Sequence, residues 1–466
     1  MNTSLLPNSF KEYTQSIMGT SIYASLMKGM EDDPPVSIRF NPRKVCLSSC
    51  SMESVPWCYG GYYICERPAF TFDPKLHAGL YYVQEAASMF ISKVIKEYCK
   101  EPGVVLDLCA APGGKSTCAI SSLPEGSILV SNEPIRQRAE VLAENMHKWG
   151  YPNTIVTNNY PNKYGKSGLV FDMVICDVPC SGEGMFRKAP NSISEWSTQN
   201  VVKYASLQRE IVGQAWECIK PGGLLFYSTC TFNLQENEAN VEWICNSLGG
   251  SLLEITTCKD WNITGSLMDG VGPVYRFIPG ISKGEGLFIA LVRKEAKAVN
   301  SRHKDRRIRI KIPIKRIDWL EHPEVYSIVE DGMDIHAIPN EMLSLYGDLK
   351  ASGMAVLKAG ITIGKTKGKD IIPHQSLLLS GEMKKGIFPT VEVNYQQAIA
   401  LLQREHVKIE YGQASGYLVV AFDGVAIGII KNLGTRTNNL YPLAWRIKSS
   451  HAPNDYHNIV PNILTI

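Results

Sequence analysis

The sequence predicts an α/β protein built on a parallel sheet, with a small mixed module before it and β-rich modules after it. Short apolar runs alternate with helical stretches from residue 79 to 296, the pattern of right-handed β-α-β crossovers. Roughly the last 150 residues break instead into short apolar alternations with glycine turns. The 466 residues are also too many for one core, so roughly two to four domains are expected.

Residues 1–78 open on an amphipathic stretch (Phe10, Tyr13, Ile17, Met18), followed by SIRFNP, an aromatic segment around Trp57 and Tyr63, and RPAFTFDP. Proline punctuation there predicts short strands and turns rather than long helices. In the central domain, 104–108 is a short apolar strand, and the next helix starts near Lys115 and Ser116. A second strand spans 127–133. A helix over 134–149 follows, with Pro134 in the first turn, where its missing N–H costs nothing. Strands at 154–157 and 171–178 come next, then a long helix over 198–219, KPGG, and a fifth strand at 224–229. Residues 297–384 read as a basic linker and a small β-rich module. Eight Lys or Arg lie between Arg302 and Arg316 against Asp305, either a solvated linker or a phosphate-binding strap. In 385–466 a helix at 396–404 precedes a strand pair around Asp423-Gly424, a strong hairpin signal.

Composition is that of a soluble globular protein, 44% hydrophobic and 20% charged. The net charge of +3 gives no whole-chain pull toward a polyanion, so any basic footprint must be local. The N-terminus lacks secretory-signal features, and no run approaches the ~20 apolar residues of a membrane helix. The thirteen cysteines are odd in number and lack CxxC zinc pairs. Reduced thiols in a cytoplasmic protein, with no metal, fit them best.

The loop DLCAAPGGK contributes Cys109, Ala110, Ala111, Pro112, Gly113, Gly114 and Lys115. Small residues after a first strand let backbone approach a ligand at the carboxyl end of a parallel sheet. The spacing is neither GxGxxG nor a phosphate loop, which leaves a nucleoside cofactor. Glu133, ending the second strand, stands where an acid holds ribose hydroxyls. Residues around 157–160, including Tyr160, follow the third strand on the adenine side. DVPCSGEGMFRK follows the fourth. Asp177 then sits at the strand end beside cofactor and base, Pro179 fixes the loop, and Gly182 and Gly184 permit close approach. Arg187 and Lys188 are candidates for phosphate contact. In STCT, Cys230 stands at the lip of the same crevice, partly exposed, as a reactive thiolate must be. His77 reads as a packing or capping histidine, and 81–85 either closes over the pocket or packs domains together.

Two cysteines, a carboxylate and a nucleoside cofactor suit methylation of a pyrimidine carbon. Carbon 5 of cytosine is too weak a nucleophile to take a sulfonium methyl. A thiolate added at carbon 6 makes the ring enamine-like, carbon 5 takes the methyl, a base removes the carbon 5 proton, and the thiolate leaves.

With CAAPGGK, DVPCSGEGMFRK, KPGG and STCTF, and YYVQEAASM upstream, residues 37–292 resemble the Nop/Sun family of RNA cytosine carbon-5 methyltransferases. The tail from FPTVEV through LYPLAWR resembles the PUA-like RNA-binding domain of the RsmF-type branch, which acts on small-subunit ribosomal RNA. The resemblance implies a Rossmann-like, S-adenosylmethionine-dependent domain, cofactor contacts at 109–115, Glu133 and Asp177, Cys230 as nucleophile and Cys180 in adduct release. DNA cytosine methyltransferases use their PC cysteine instead, but their ENV motif is missing after Cys180. Where the family often carries an acid after the third strand, this chain has Tyr160. The expectation is a cytoplasmic, monomeric enzyme on ribosomal RNA. Transfer RNA as substrate and a catalytically silent RNA-binding assembly factor are the alternatives.

Overall fold

The computed structural model describes residues 1–46, 51–295, 317–407, 415–449, 451–459 and 464–465. The basic stretch between Arg302 and Arg316 lies outside them.

The centre is a nine-stranded sheet. Val104–Asp107 pairs in parallel with Ile128–Asn132 on one side and Phe171–Asp177 on the other. Thr154–Thr157 and Ile219–Thr229 extend the two wings in parallel. Leu287–Lys294 then closes the second wing antiparallel. Side chains alternate between the two faces, as strand pleat requires. Val105, Leu129, Met173 and Phe226 join the core with Ile91, Cys118, Leu142 and Met146 of three helices. Leu106, Val130, Val174 and Leu225 join the opposite core with Ile211, Val212, Val241 and Ile244 of two others. Burial on both faces is why the strands read as nearly unbroken apolar runs. The expected Rossmann-like α/β domain is present.

Local departures have physical causes. The helix expected from Pro134 begins at Arg136, because the Glu133 carboxylate caps Ile135 N–H at 3.1 Å and Asn158 Nδ2 holds the carbonyls of Glu133 and Pro134. KPGG is not a loop between helix and strand but an irregularity within Ile219–Thr229. Phe171 pairs with Ile219, and Met173 already with Leu224.

The N-terminal module holds one long helix, Asn8–Glu31, contrary to the short elements expected. Gly19 (φ 68°) kinks it, so the apolar phase slips midway and no single helical period shows in the sequence. Its Phe10, Leu26 and Met30 pack with Phe186, Trp196 and Phe232, so it buttresses the loops that carry the two cysteines. The three-stranded sheet of this module takes its third strand, Tyr81–Val83, from beyond residue 78.

Downstream, Val356–Ala359 leaves its own module to pair antiparallel with Thr154–Thr157 at the edge of the central sheet. The rest of that module is a four-stranded sheet from Tyr326–Asp331 to Asp370–Pro373. The C-terminal sheet contains the expected hairpin: Gly416–Phe422 and Val425–Asn432 meet at Asp423 (φ 51°) and Gly424 (φ 72°). Its Val420, Phe422 and Ile427 share a core with Ile38, Phe40 and Tyr81, so the two ends of the chain pack together. His77 is buried there, its Nε2 2.8 Å from the Thr71 carbonyl, and burial lowers its pKa to about 3. It is a packing histidine.

Candidate active site

The strand order reverses beside Val104–Asp107, and ligands of open α/β sheets sit at the carboxyl ends of the strands at such a switch point. A cavity of ≈ 1040 Å³ opens there. Cys109 and Ala111 of the first loop, Glu133, Tyr160 and Asp177 all line it. So do Pro179, Cys180 and Cys230.

The glycine loop is shaped by Gly113, whose φ of 114° only glycine adopts easily, and Gly114–Ser122 is the helix that follows. A Cβ at Gly113 would stand 3.2 Å from Leu142 Cδ1. The remaining loop residues support the wall rather than form it. Ala110 N–H donates to the Asn132 carbonyl, and the Pro112 carbonyl accepts from Asn145 Nδ2. Lys115 reaches the cavity indirectly, its Nζ lying 2.9 Å from Asp177 Oδ2. Burial opposes the Lys115 charge, but Asp177 first, with Cys230 and Asp107, together outweigh it and the net shift of the amine is upward. Asp177 Oδ1 accepts from Ser228 Oγ at 2.7 Å. Behind this pair, Asp107 is fully buried and accepts from Ser116 Oγ at 2.7 Å. Its Oδ1 has no hydrogen-bond partner. Burial first, then the carboxylates of Asp177 and Glu133, push it up to about 7.

Glu133 is 1% exposed and keeps its carboxylate at the cavity wall, 3.6 Å from Arg138 Nη1. Tyr160 is 70% exposed on the rim. The two sulfurs meet: Cys180 Sγ lies 3.1 Å from Cys230 Sγ. Gly184 N–H donates to the Cys230 carbonyl at 2.8 Å, tying the Cys180 loop to the Cys230 loop. The hydrogen bond to Cys230, then burial, raises the Cys180 thiol well above its ordinary range.

The structure engages Arg187, expected to meet phosphate, in other contacts. The Arg187 side chain is buried, with Nε 2.6 Å from Glu285 Oε2 and Nη1 and Nη2 donating to the carbonyls of Gly29 and Gly284. Lys188 lies 3.4 Å from the same carboxylate. Arg187 fastens the Cys180 loop to the N-terminal helix and to the 284–285 turn, and Lys188 joins it at Glu285. Conversely, the sequence reading missed Glu183 and Glu236, buried carboxylates beside the two cysteines. It also missed Lys203 and Tyr204, which line the far end of the cavity on the helix Thr198–Glu217. A carboxylate followed by Asn-Glu just past STCTF, in a stretch with no helical amphipathicity, was the available signal.

Three family models match in sequence: the N-terminal domain of 16S rRNA methyltransferase RsmF over residues 6–86, 16S rRNA methyltransferase RsmB/F over 98–293, and the methyltransferase RsmF PUA domain over 388–447. The chain belongs to the RsmB/F methyltransferase family. Its similarity to family members extends over nearly full length. It is 26% identical to ribosomal RNA small subunit methyltransferase F of Pectobacterium atrosepticum, covering 94% of this chain and 95% of that protein. With the protein of that name from Aeromonas hydrophila it shares 27%, over 87% and 90%. A methyltransferase homologue from Pyrococcus horikoshii has the same fold over 63% of this chain and 100% of its own (23% identity, TM-score 0.53). So does NSun6 from that organism, solved with SFG, over 62% and 99% (20% identity, TM-score 0.53). This RsmB/F chain thus carries a Rossmann-like methyltransferase domain between the N-terminal and PUA modules of the RsmF type.

Proposed function

We propose that this protein methylates carbon 5 of a cytosine in small-subunit ribosomal RNA, with S-adenosylmethionine as methyl donor. The observation that carries the reading is the 3.1 Å approach of Cys180 and Cys230 in one cavity with Glu133 and Asp177. The cavity suits the donor: a buried carboxylate for ribose hydroxyls at Glu133, an exposed ring at Tyr160 for adenine, and close backbone at Cys109 and Ala111. S-adenosylmethionine supplies an electrophilic methyl group when bound.

The chain's own groups do the rest. Cys230, lining the cavity 3.1 Å from Cys180, is the nucleophile in this reading and adds to carbon 6 as the thiolate. Asp177, held by Lys115 and Ser228, meets the base edge. After carbon 5 has been methylated, a base takes its proton, the ring's double bond re-forms and Cys230 leaves as the thiolate. Cys180, at 3.1 Å, stands beside the departing sulfur and assists its release. The base must leave the RNA stack to reach this cavity, since carbon 6 is shielded inside a helix. The PUA module supports RNA as partner, and a cytoplasmic monomer fits the reading.

The test is bisulfite mapping of 5-methylcytosine in cells with and without the protein, paired with in vitro methylation of unmodified ribosomal and transfer RNA. A position in small-subunit ribosomal RNA that depends on the protein supports the reading. Methyl groups found only on transfer RNA, or none at all, refute it.

A further inference from the structure

We infer that Glu236 is a positioning residue that sets the Cys180 loop against Cys230. Neither cysteine lies inside a strand: Cys230 follows Ile219–Thr229, and Cys180 stands beyond Phe171–Asp177. Their separation is therefore set by loop contacts, and Glu236 gathers these. Its Oε2 accepts from Ser181 N–H at 3.0 Å and Gln208 Nε2 at 2.7 Å, and its Oε1 from Ser181 Oγ at 2.5 Å and Asn233 Nδ2 at 2.8 Å. Gln208 Nε2 also donates to the Pro179 carbonyl at 3.0 Å, so both neighbours of Cys180 are gripped.

Glu183 makes the reciprocal tie. Lying in the Cys180 loop, it accepts from the backbone of Phe232 and Asn233 beyond Cys230, at 2.6 and 3.0 Å. Asn233 Nδ2 bridges the two carboxylates. Glu183 and Glu236 are 1% and 0% exposed. Burial raises the pKa of both, a cost accepted here in exchange for donors on every oxygen. All four partners of the Glu236 carboxylate are N–H or O–H groups. A carboxylate satisfies them, whereas the NH2 of a glutamine would face donors.

The consequence for catalysis rests on the two-cysteine reading above, but the geometry can be tested without it. Phenylarsine oxide captures a close dithiol: two As–S bonds form, and the thiol protons leave with the arsenic-bound oxygen as water. In the full-length protein, capture at this pair is the part lost in Cys180→Ala. Glu236→Gln is expected to weaken that capture about tenfold and lower kcat about 100-fold, with KM for RNA and S-adenosylmethionine affinity within threefold of wild type. Ser181→Ala, which removes one hydroxyl and spares the fold, should weaken capture about threefold. Unchanged capture in Glu236→Gln, or in Ser181→Ala if the first variant does not fold, overturns the inference. Weakened capture with unchanged kcat upholds the positioning of the sulfurs and refutes the two-cysteine chemistry instead.

Discussion

Lys115 and Asp177 are joined across the switch point of the sheet, Nζ to Oδ2 at 2.9 Å. Lys115 comes from the helix after the first parallel strand, Asp177 from the end of the fourth. The pair spans the floor of the crevice and links the cofactor loop to the loop of Cys180. An ion pair here constrains the wall at the point where cofactor and base would meet.

Removing the amine should therefore loosen both. Lys115→Met leaves Asp177 without its counter-charge, and both activity and S-adenosylmethionine affinity should fall about 10- to 100-fold. Isothermal titration with the cofactor checks this; unchanged affinity would place Asp177 outside the cofactor wall.

Cys180→Ala should let the RNA adduct form but not resolve. A slow band on a denaturing gel, dissolved by protease, is the expected outcome, together with less than about 1% of wild-type turnover. A variant that turns over freely would remove the release role.

Arg187→Ala should act on the fold rather than on RNA. It leaves the buried Glu285 carboxylate with Lys188 alone, and breaking one partner of a buried pair costs about 3–5 kcal/mol. Thermal melting should show the loss, with the salt dependence of RNA binding unchanged; a changed salt slope would restore the phosphate role.

Asp107 gives a pH prediction with a definite sign. Its folded pKa, about 7, lies above the ordinary carboxyl value of 3.8, so the folded state holds a proton that the unfolded state has released. Stability from this group is present at low pH and is lost as pH rises toward 7. Between pH 5 and 7 wild type should lose about 2 kcal/mol relative to Asp107→Asn, by the linkage of pKa to stability. Chemical denaturation at the two pH values checks it; parallel curves would mean that Asp107 is ionised throughout.

Much of this architecture was legible in the sequence because each wall of the crevice is built locally. Strands such as Phe171–Asp177 are apolar on both faces, and the loops at their ends carry small or reactive residues within a few positions. The hairpin at Asp423 and Gly424 was legible for the same reason, since its turn chemistry sits in two adjacent residues. What depends on distant partners was not. Val356–Ala359 is a strand only because the edge at Thr154–Thr157 accepts it. Arg187 in FRK looks like a phosphate ligand until Glu285, 98 residues on, is placed beside it. Glu236 carries no periodic signal, because it lies in a turn before the helix Glu238–Leu248 and its burial is dictated by Ser181 and Gln208.

The assignment of Cys230 as nucleophile is tested most directly with target RNA in which the cytosine carries fluorine at carbon 5, which blocks the final proton loss and holds the adduct. Mass spectrometry of the digested complex should locate the RNA on Cys230. A linkage through Cys180, or no covalent complex in the presence of S-adenosylmethionine, would contradict it.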